Sequence, residues 1–342
     1  MEPSPAPLAP GSVPVIDLAH PDAPASIDRA CRTHGFFALA GHGIAATERE
    51  RLLAAARRFF ALPVEAKRAV DLAHGGAAWR GWFPLGDELT SGVPDLKEGF
   101  YVGRELPPDP RPMHGPNVWP AEVPELRDAV TSWMAAMESL GQRVLAAMAV
   151  GLGLDAGWFA THLTADPTVL FRIFTYPPHP DGPAGEDRWG VAEHTDYGLL
   201  TLLVHDGTPG LEVKVDGRWL AAPSDPDLVV CNLGDMLVRL TAGRYRSNPH
   251  RVRNAAGADR ISLPFFLDPG WDAHIEPITL PDDATWVVPE DRAERWDRAS
   301  LREVDGCYGD WLLAKVSKVF PALAAAALPG TASGDQAGGA SR

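Results

Sequence analysis

The sequence predicts a mainly β fold with flanking helices (α+β), and three observations predict it. From residue 168 onward, short strand-like runs follow one another closely: TVLFRIFTYP, GLLTLLVHD, GLEVKVDGRWLAA, DLVVCNLGDMLVRLTAG, HRVRNA and RISLPFFLDP. Such runs, separated by Pro, Gly and Asp turns, follow the grammar of a β-sandwich or barrel. Ahead of them lies a long stretch with helical spacing, and behind them 308–320 returns to helix. At 342 residues and 45% hydrophobic content the chain can bury a large core, which excludes wholesale disorder.

Each element can be justified in turn. Residues 1–12 read as a Pro/Ala-rich disordered tail. VPVIDL (13–18) has strand character, 26–33 reads as a short helix, and GFFALAG (35–41) as a strand stopped by glycine. A helix is predicted over 47–62, with Thr47 as N-cap, Glu50 three residues on and Pro63 to end it. The segment 71–120 is rich in Gly, Pro and aromatics and predicts loops with short strands. A long helix follows over 124–154. There Val130, Trp133, Met134, Met137, Leu140, Val144, Leu145 and Met148 recur at helical spacing, the pattern of a core-facing stripe. The organisation expected is an N-terminal α/β region (13–120), a long helix and linker (121–167), a β core (168–275), a C-terminal helical cap (276–327) and a disordered Gly/Ala/Ser tail (328–342).

Charge narrows the function. Forty-five acidic against 31 basic residues leave a net −14, which argues against a nucleic-acid surface or an anionic membrane as partner. Three scattered cysteines, Cys31, Cys231 and Cys307, without a C-x-x-C pair, suit reduced core thiols in a cytoplasm. The N-terminus has neither the basic nor the apolar region of a signal peptide, and the most apolar stretch, 144–154, is too short to span a bilayer. The expectation is a cytoplasmic monomer acting on a small molecule.

Within the β segment three features combine. HTDYGLLTLL opens an apolar run with His194 and Asp196, two residues apart, and side chains at that spacing share one face of a strand. A carboxylate beside an imidazole on a buried face needs a partner or a metal. His250, in RSNPHRV, opens a later strand, and Arg260-x-Ser262 follows it. Two histidines and one carboxylate make a facial triad that holds Fe(II) and leaves positions open for a chelating cosubstrate and dioxygen. Arg260 and Ser262 place a guanidinium fork and a hydroxyl on one wall, a pair suited to a carboxylate. Singly, each has a bland explanation as a strand end, a structural histidine or a chance pair. Their order along the strands of one β unit joins them.

With these motifs in hand, the chain resembles the isopenicillin N synthase-like branch of the Fe(II)/2-oxoglutarate dioxygenases. VPVIDL, CRTHGFFALAGHGI, DLKEGF, YPP (176–178), HTDYGLLTLL, PGLEV, NLGDMLVRLTAGRYRSNPHRV and RISLPFF occur in the order of that family. The resemblance implies a double-stranded β-helix, or jelly roll, with iron at its mouth. It implies His194, Asp196 and His250 as iron ligands, and Arg260, Ser262 and Tyr176 as the 2-oxoglutarate site. Strand alternation also puts Arg172, Phe174 and Tyr176 on one face. Many relatives have Asn, a residue that often assists cosubstrate binding, where this chain has Phe174.

The activity implied is hydroxylation, desaturation or cyclisation of a small molecule in a biosynthetic role, that of secondary metabolism, with release of succinate and CO2. Fe(II), 2-oxoglutarate and dioxygen are the implied cofactor and cosubstrates. Two alternatives stay open on the residues alone. In a 2-oxoglutarate-independent oxidase of the isopenicillin N synthase type, Arg260 and Ser262 would grip the substrate's own carboxylate. In a metal-binding jelly roll without catalysis, triad and clamp would have no joint purpose. Candidate substrate contacts are Arg172, Phe174, Arg80, Phe83, Tyr101, Trp189, Tyr197 and Phe266. Asp235 is expected to fix a turn and Cys231 to sit in the core.

Overall fold

The computed structural model describes residues 12–90, 92–178, 189–254, 257–281, 287–288 and 300–327. The tails expected at 1–12 and 328–342 lie outside it except for Ser12, as do parts of the expected C-terminal cap. The first third holds β1 (Val15–Asp17), α1 (Ala23–Thr33), β2 (Phe36–Ala40), α2 (Ala46–Phe60), α3 (Val64–Arg68) and α4 (Leu72–Gly75). Four short strands follow: β3 (Gly81–Phe83), β4 (Leu89–Thr90), β5 (Val93–Pro94) and β6 (Glu98–Gly103). Then come α5 (Glu125–Gly151), α6 (Trp158–His162), β7 (Thr168–Tyr176), β8 (Val191–His194), β9 (Leu200–His205), β10 (Leu211–Val215), β11 (Arg218–Ala221) and β12 (Val229–Leu233). The described chain closes with α7 (Asp235–Leu240), β13 (His250–Val252), β14 (Arg260–Asp268), α8 (Tyr308–Val319) and α9 (Pro321–Ala327).

Two sheets carry the core. The larger runs β1-β2-β12-β9-β14-β7-β6-β3 and the smaller β11-β10-β13-β8. The central strands β12, β9, β14 and β7, with the four strands of the smaller sheet, form the jelly roll. The N-terminal region does more than wrap this core with helices. It extends the larger sheet at both edges, β1 and β2 beyond β12, and β6 and β3 beyond β7, so those edges of the core strands are paired rather than open.

Local chemistry explains the connections. The β10–β11 hairpin turns at Asp216 (φ 47°) and Gly217 (φ 79°), the left-handed pair that a two-residue hairpin demands. The stripe expected on α5 is buried throughout, from Val130 to Met148, and each such side chain contributes about 1.5–3 kcal/mol. This helix packs against β14 and β9, with α1 and α2 against it. It lies close to β14 at Gly141, where an added Cβ would come 2.6 Å from Leu267 Cδ2. No described helix is long and apolar enough to cross a membrane.

Four local expectations are corrected. The predicted capping box at Thr47 and Glu50 does not form: α2 starts at Ala46 with Ala45 as N-cap and no side-chain cap. Thr47 lies inside the first turn, where Glu48 supplies the favourable negative charge. Pro63 does not end that helix but caps α3. The run DLVVCNLGDMLVRLTAG is a strand and then a helix, broken at Gly234. Cys31 and Cys231 are core thiols, whereas Cys307 is half-buried at the start of α8.

Candidate metal centre

His194 ends β8 and His250 begins β13, and the two pair directly across the smaller sheet. Their rings lie 4.2 Å apart between centroids. Asp196 is not on the same strand as His194, as the sequence suggested. The strand stops at His194, and Asp196 sits in the turn that carries the chain to β9 in the opposite sheet. The start of α7 pins that turn. Asp235 N–H donates to the Asp196 carbonyl at 2.8 Å and Met236 N–H to the Gly198 carbonyl at 3.1 Å, which satisfies donors a helix start leaves unpaired. Gly198 is required there, since a Cβ would fall 1.5 Å from Asp268 Oδ1. Asp235 thus fixes a turn, as expected, and the turn is the one that bears Asp196.

The three side chains converge. Asp196 Oδ1 is 3.8 Å from His194 Nε2 and 3.7 Å from His250 Nε2, and one ligand atom from each of the three lies within 4.8 Å of the others. His194 Nδ1 stands 2.8 Å from the Ala192 carbonyl, so the proton belongs on Nδ1 and the Nε2 lone pair faces inward. Asp196 Oδ2 accepts from Asn232 Nδ2 at 2.6 Å and from the Thr201 hydroxyl, which leaves Oδ1 to the cluster. Burial alone would raise the Asp196 pKa, but the two imidazoles and these hydrogen bonds bring it below the ordinary value. Burial and the neighbouring His194 ring lower His250 to about 4. At neutral pH His250 therefore offers a lone pair. Two imidazoles and a carboxylate on one side of a point can hold a divalent metal with open positions beyond.

Across the cavity, Arg260 on β14 pairs with Tyr176 on β7, and Ser262 with Phe174. All of Arg260, Ser262 and Tyr176 are buried. The guanidinium carbon lies 5.1 Å from the Tyr176 ring centroid, and Ser262 Oγ donates to Tyr176 Oη at 3.4 Å. Arg260 Nε donates to the Thr208 carbonyl at 3.2 Å, while Nη1 has no hydrogen-bond partner among the described residues. A buried cationic donor left unpaired is costly, and a carboxylate is the group that matches it.

One cavity joins the triad to this clamp. Of the substrate candidates, Arg172, Phe174, Tyr101, Tyr197 and Phe266 line it, and Arg80, Phe83 and Trp189 do not. Arg80 is turned away, donating to the Met113 carbonyl. Phe83 packs behind the wall on Tyr101 and Phe174, and Trp189 stacks with Arg251 and Arg253. Sequence reasoning missed Glu88, Thr90 and Lys97, from a loop-rich segment without periodicity, and the C-terminal residues Leu312, Val316, Val319 and Phe320. It also missed Asp268, although strand alternation from Arg260 through Ser262 and Phe266 points it inward.

Comparison with known proteins agrees with this architecture. Residues 13–122 match the family model "non-haem dioxygenase in morphine synthesis N-terminal", and 166–269 match the "2OG-Fe(II) oxygenase superfamily". A Dictyostelium discoideum protein named as a probable iron/ascorbate oxidoreductase is 38% identical over 323 residues, covering 87% of this chain and 88% of the relative. A 2-oxoglutarate-dependent dioxygenase of Aspergillus niger is 36% identical over 284 residues, 77% of this chain and 85% of the relative. The crystal structure of a full-length Neurospora crassa protein in complex with alpha-KG superposes with a TM-score of 0.74 at 27% identity, over 90% of this chain and 97% of that one. With its double-stranded β-helix, the chain belongs to the 2-oxoglutarate–Fe(II) oxygenase superfamily, in its isopenicillin N synthase-like branch, and is an oxidoreductase that uses Fe(II), 2-oxoglutarate and dioxygen.

Proposed function

We propose that His194, Asp196 and His250 hold the iron, that Arg260, Ser262 and Tyr176 hold the distal carboxylate of 2-oxoglutarate, and that the chain hydroxylates, desaturates or cyclises a small molecule in a biosynthetic role. The observation that carries this reading is a cluster of three ligand atoms within 4.8 Å, sharing a cavity with a buried arginine whose Nη1 lacks a partner among the described residues. Iron held there couples dioxygen and the decarboxylation of 2-oxoglutarate, to succinate and CO2, to oxidation of the substrate. The chain's own residues do the rest. Asn232 and Thr201 aim the Asp196 carboxylate, the Ala192 carbonyl sets the His194 tautomer, and Arg260 fixes the cosubstrate end-on. Apolar walls keep water from the reacting centre. The chain is further read as a cytoplasmic monomer, which fits two buried free thiols.

Anaerobic addition of Fe(II) and 2-oxoglutarate is expected to give a weak visible charge-transfer band. Asp196→Ala and His250→Ala should abolish both the band and succinate formation. Succinate production at the wild-type rate by either variant would overturn the ligand assignment. Arg260→Ala is expected to weaken 2-oxoglutarate about a hundredfold, the effect of about 3 kcal/mol for a lost charged hydrogen bond. A colourless wild type with bound iron would give the Arg260 clamp to the substrate's own carboxylate instead.

A further inference from the structure

A second inference rests on this oxygenase reading and concerns the molecule that is oxidised. On the inward face of β7, Tyr176 stands at the level of Arg260. Four residues back on the same face is Arg172, about 13 Å along the strand at about 3.3 Å per residue. A cosubstrate gripped at Arg260 and chelated at the triad leaves Arg172 unused. Arg172 lines the cavity and is only 5% exposed. Its guanidinium carbon lies 3.4 Å from the centroid of the Tyr101 ring, a cation–π contact. Nη1 reaches the Phe171 carbonyl only at 3.4 Å, and among the described residues Arg172 has no ion-pair partner.

Glu88 and Asp268 favour the charge of Arg172 from nearby, but the hydrogen bonds they accept come from other groups. Glu88 accepts from Tyr101 Oη at 2.6 Å and pairs with Lys97 Nζ at 3.0 Å. Asp95 takes Lys97 and the Thr90 hydroxyl. Asp268 accepts from Tyr308 Oη at 2.7 Å and from Leu199 N–H at 3.0 Å, and burial raises its pKa to about 7, so that it carries only part of a charge near neutrality. A guanidinium in such a wall is costly unless an anion completes it. The surrounding lining at Leu170, Leu203, Phe266, Leu312 and Val316 is hydrocarbon.

We infer that Arg172 anchors a carboxylate of the primary substrate, and that this substrate is an acid with an apolar body. The carboxylate meets the guanidinium edge, and Tyr101, tied to Glu88, keeps that edge in place. The hydrocarbon body extends along the apolar lining toward the triad.

The test uses the full chain loaded anaerobically with Fe(II) and 2-oxoglutarate, so that Arg260 is already occupied. Phenylacetate, 3-phenylpropanoate and octanoate, with their methyl esters and primary amides, and uracil as a neutral imide, are titrated by calorimetry and tryptophan fluorescence. At least one acid is expected to bind ten-fold or more tightly than its ester and amide. Arg172→Gln should erase that preference and Arg172→Lys should keep part of it, with 2-oxoglutarate affinity within threefold of wild type in both. Equal binding of acid and ester, preference for an amide or uracil, no binding by any of the acids, or an undiminished preference in Arg172→Gln would overturn the inference. The wild-type ratio of acid to ester decides even if a variant fails to fold. Failure of the wild type to bind Fe(II) or 2-oxoglutarate would instead sink the oxygenase reading, so the two failures are told apart.

Discussion

Burial works against the charge of Asp196, while two imidazoles, a hydroxyl and a carboxamide favour it. That Asp196 would lie beside two histidines could be expected only from H-x-D, His250 and R-x-S taken together, and its geometry was not legible. The alternation argument assumed an unbroken strand, and the break comes from contacts to α7 that lie some forty residues further along the chain. Asp268 shows the converse. Its inward direction could have been read from Arg260 by alternation, yet its titration depends on Tyr308 and on depth. Burial raises it from 3.8 to about 7, against the hydrogen bonds from Tyr308 and Leu199 N–H that lower it. A carboxyl raised in this way keeps a proton in the folded state that the unfolded chain has released. Its contribution to stability is therefore full at low pH and is lost as pH rises from about 4 through about 7. Relative to Asp268→Asn, the metal-free wild type should lose melting temperature between about pH 4 and about pH 7. Denaturation scans of both proteins across that range check this, and a constant gap would mean that Asp268 is ionised throughout.

At the scale of elements, the long helix α5 and the strands of the jelly roll were legible because their periodicity is long and strong. The helix α7 was not, because six residues after a strand carry the same apolar density as the strand itself. The C-terminal helix was expected as a cap, and its role in the cavity came only with the fold. Leu312, Val316, Val319 and Phe320 form part of the wall. Phe320 meets Phe83 at 5.3 Å and Tyr101 at 5.9 Å between ring centroids, so the helix end is packed against the platform beneath Arg172. Phe320→Ala is expected to cost about 3 kcal/mol of stability, as for other buried aromatics. It should also raise the substrate KM at least ten-fold while leaving the KM for 2-oxoglutarate within threefold. Steady-state kinetics with each varied in turn separates these effects, and equal change in both would place Phe320 outside the substrate's reach.

For the molecule as a whole, the β-rich second half pointed to the right class, while the pairing of N-terminal strands onto the edges of the larger sheet was hidden. β3 and β6 come from a stretch that read as loops with short strands, without saying which residues, and they pair outward from β7. The candidate metal centre draws His194 and His250 from the smaller sheet, and Thr201 and Asn232 from the larger. A divalent metal that binds only the folded state should stabilise it by about 2.7 kcal/mol at a hundred times its Kd. Mn(II) is therefore expected to raise the Tm of the wild type by several degrees and that of Asp196→Ala hardly at all. Differential scanning fluorimetry measures both, and equal shifts would show binding elsewhere.

The turn that carries Asp196 from one sheet to the other has a consequence for safety as much as for catalysis. On the proposed ligand assignment, a half-built chain, on the ribosome or partly melted, would lack the closed set of donors that the pairing of His194 with His250 brings to Asp196. Stray oxygen activation, with its risk of self-inflicted radical damage, would then be confined to molecules whose two sheets have already closed.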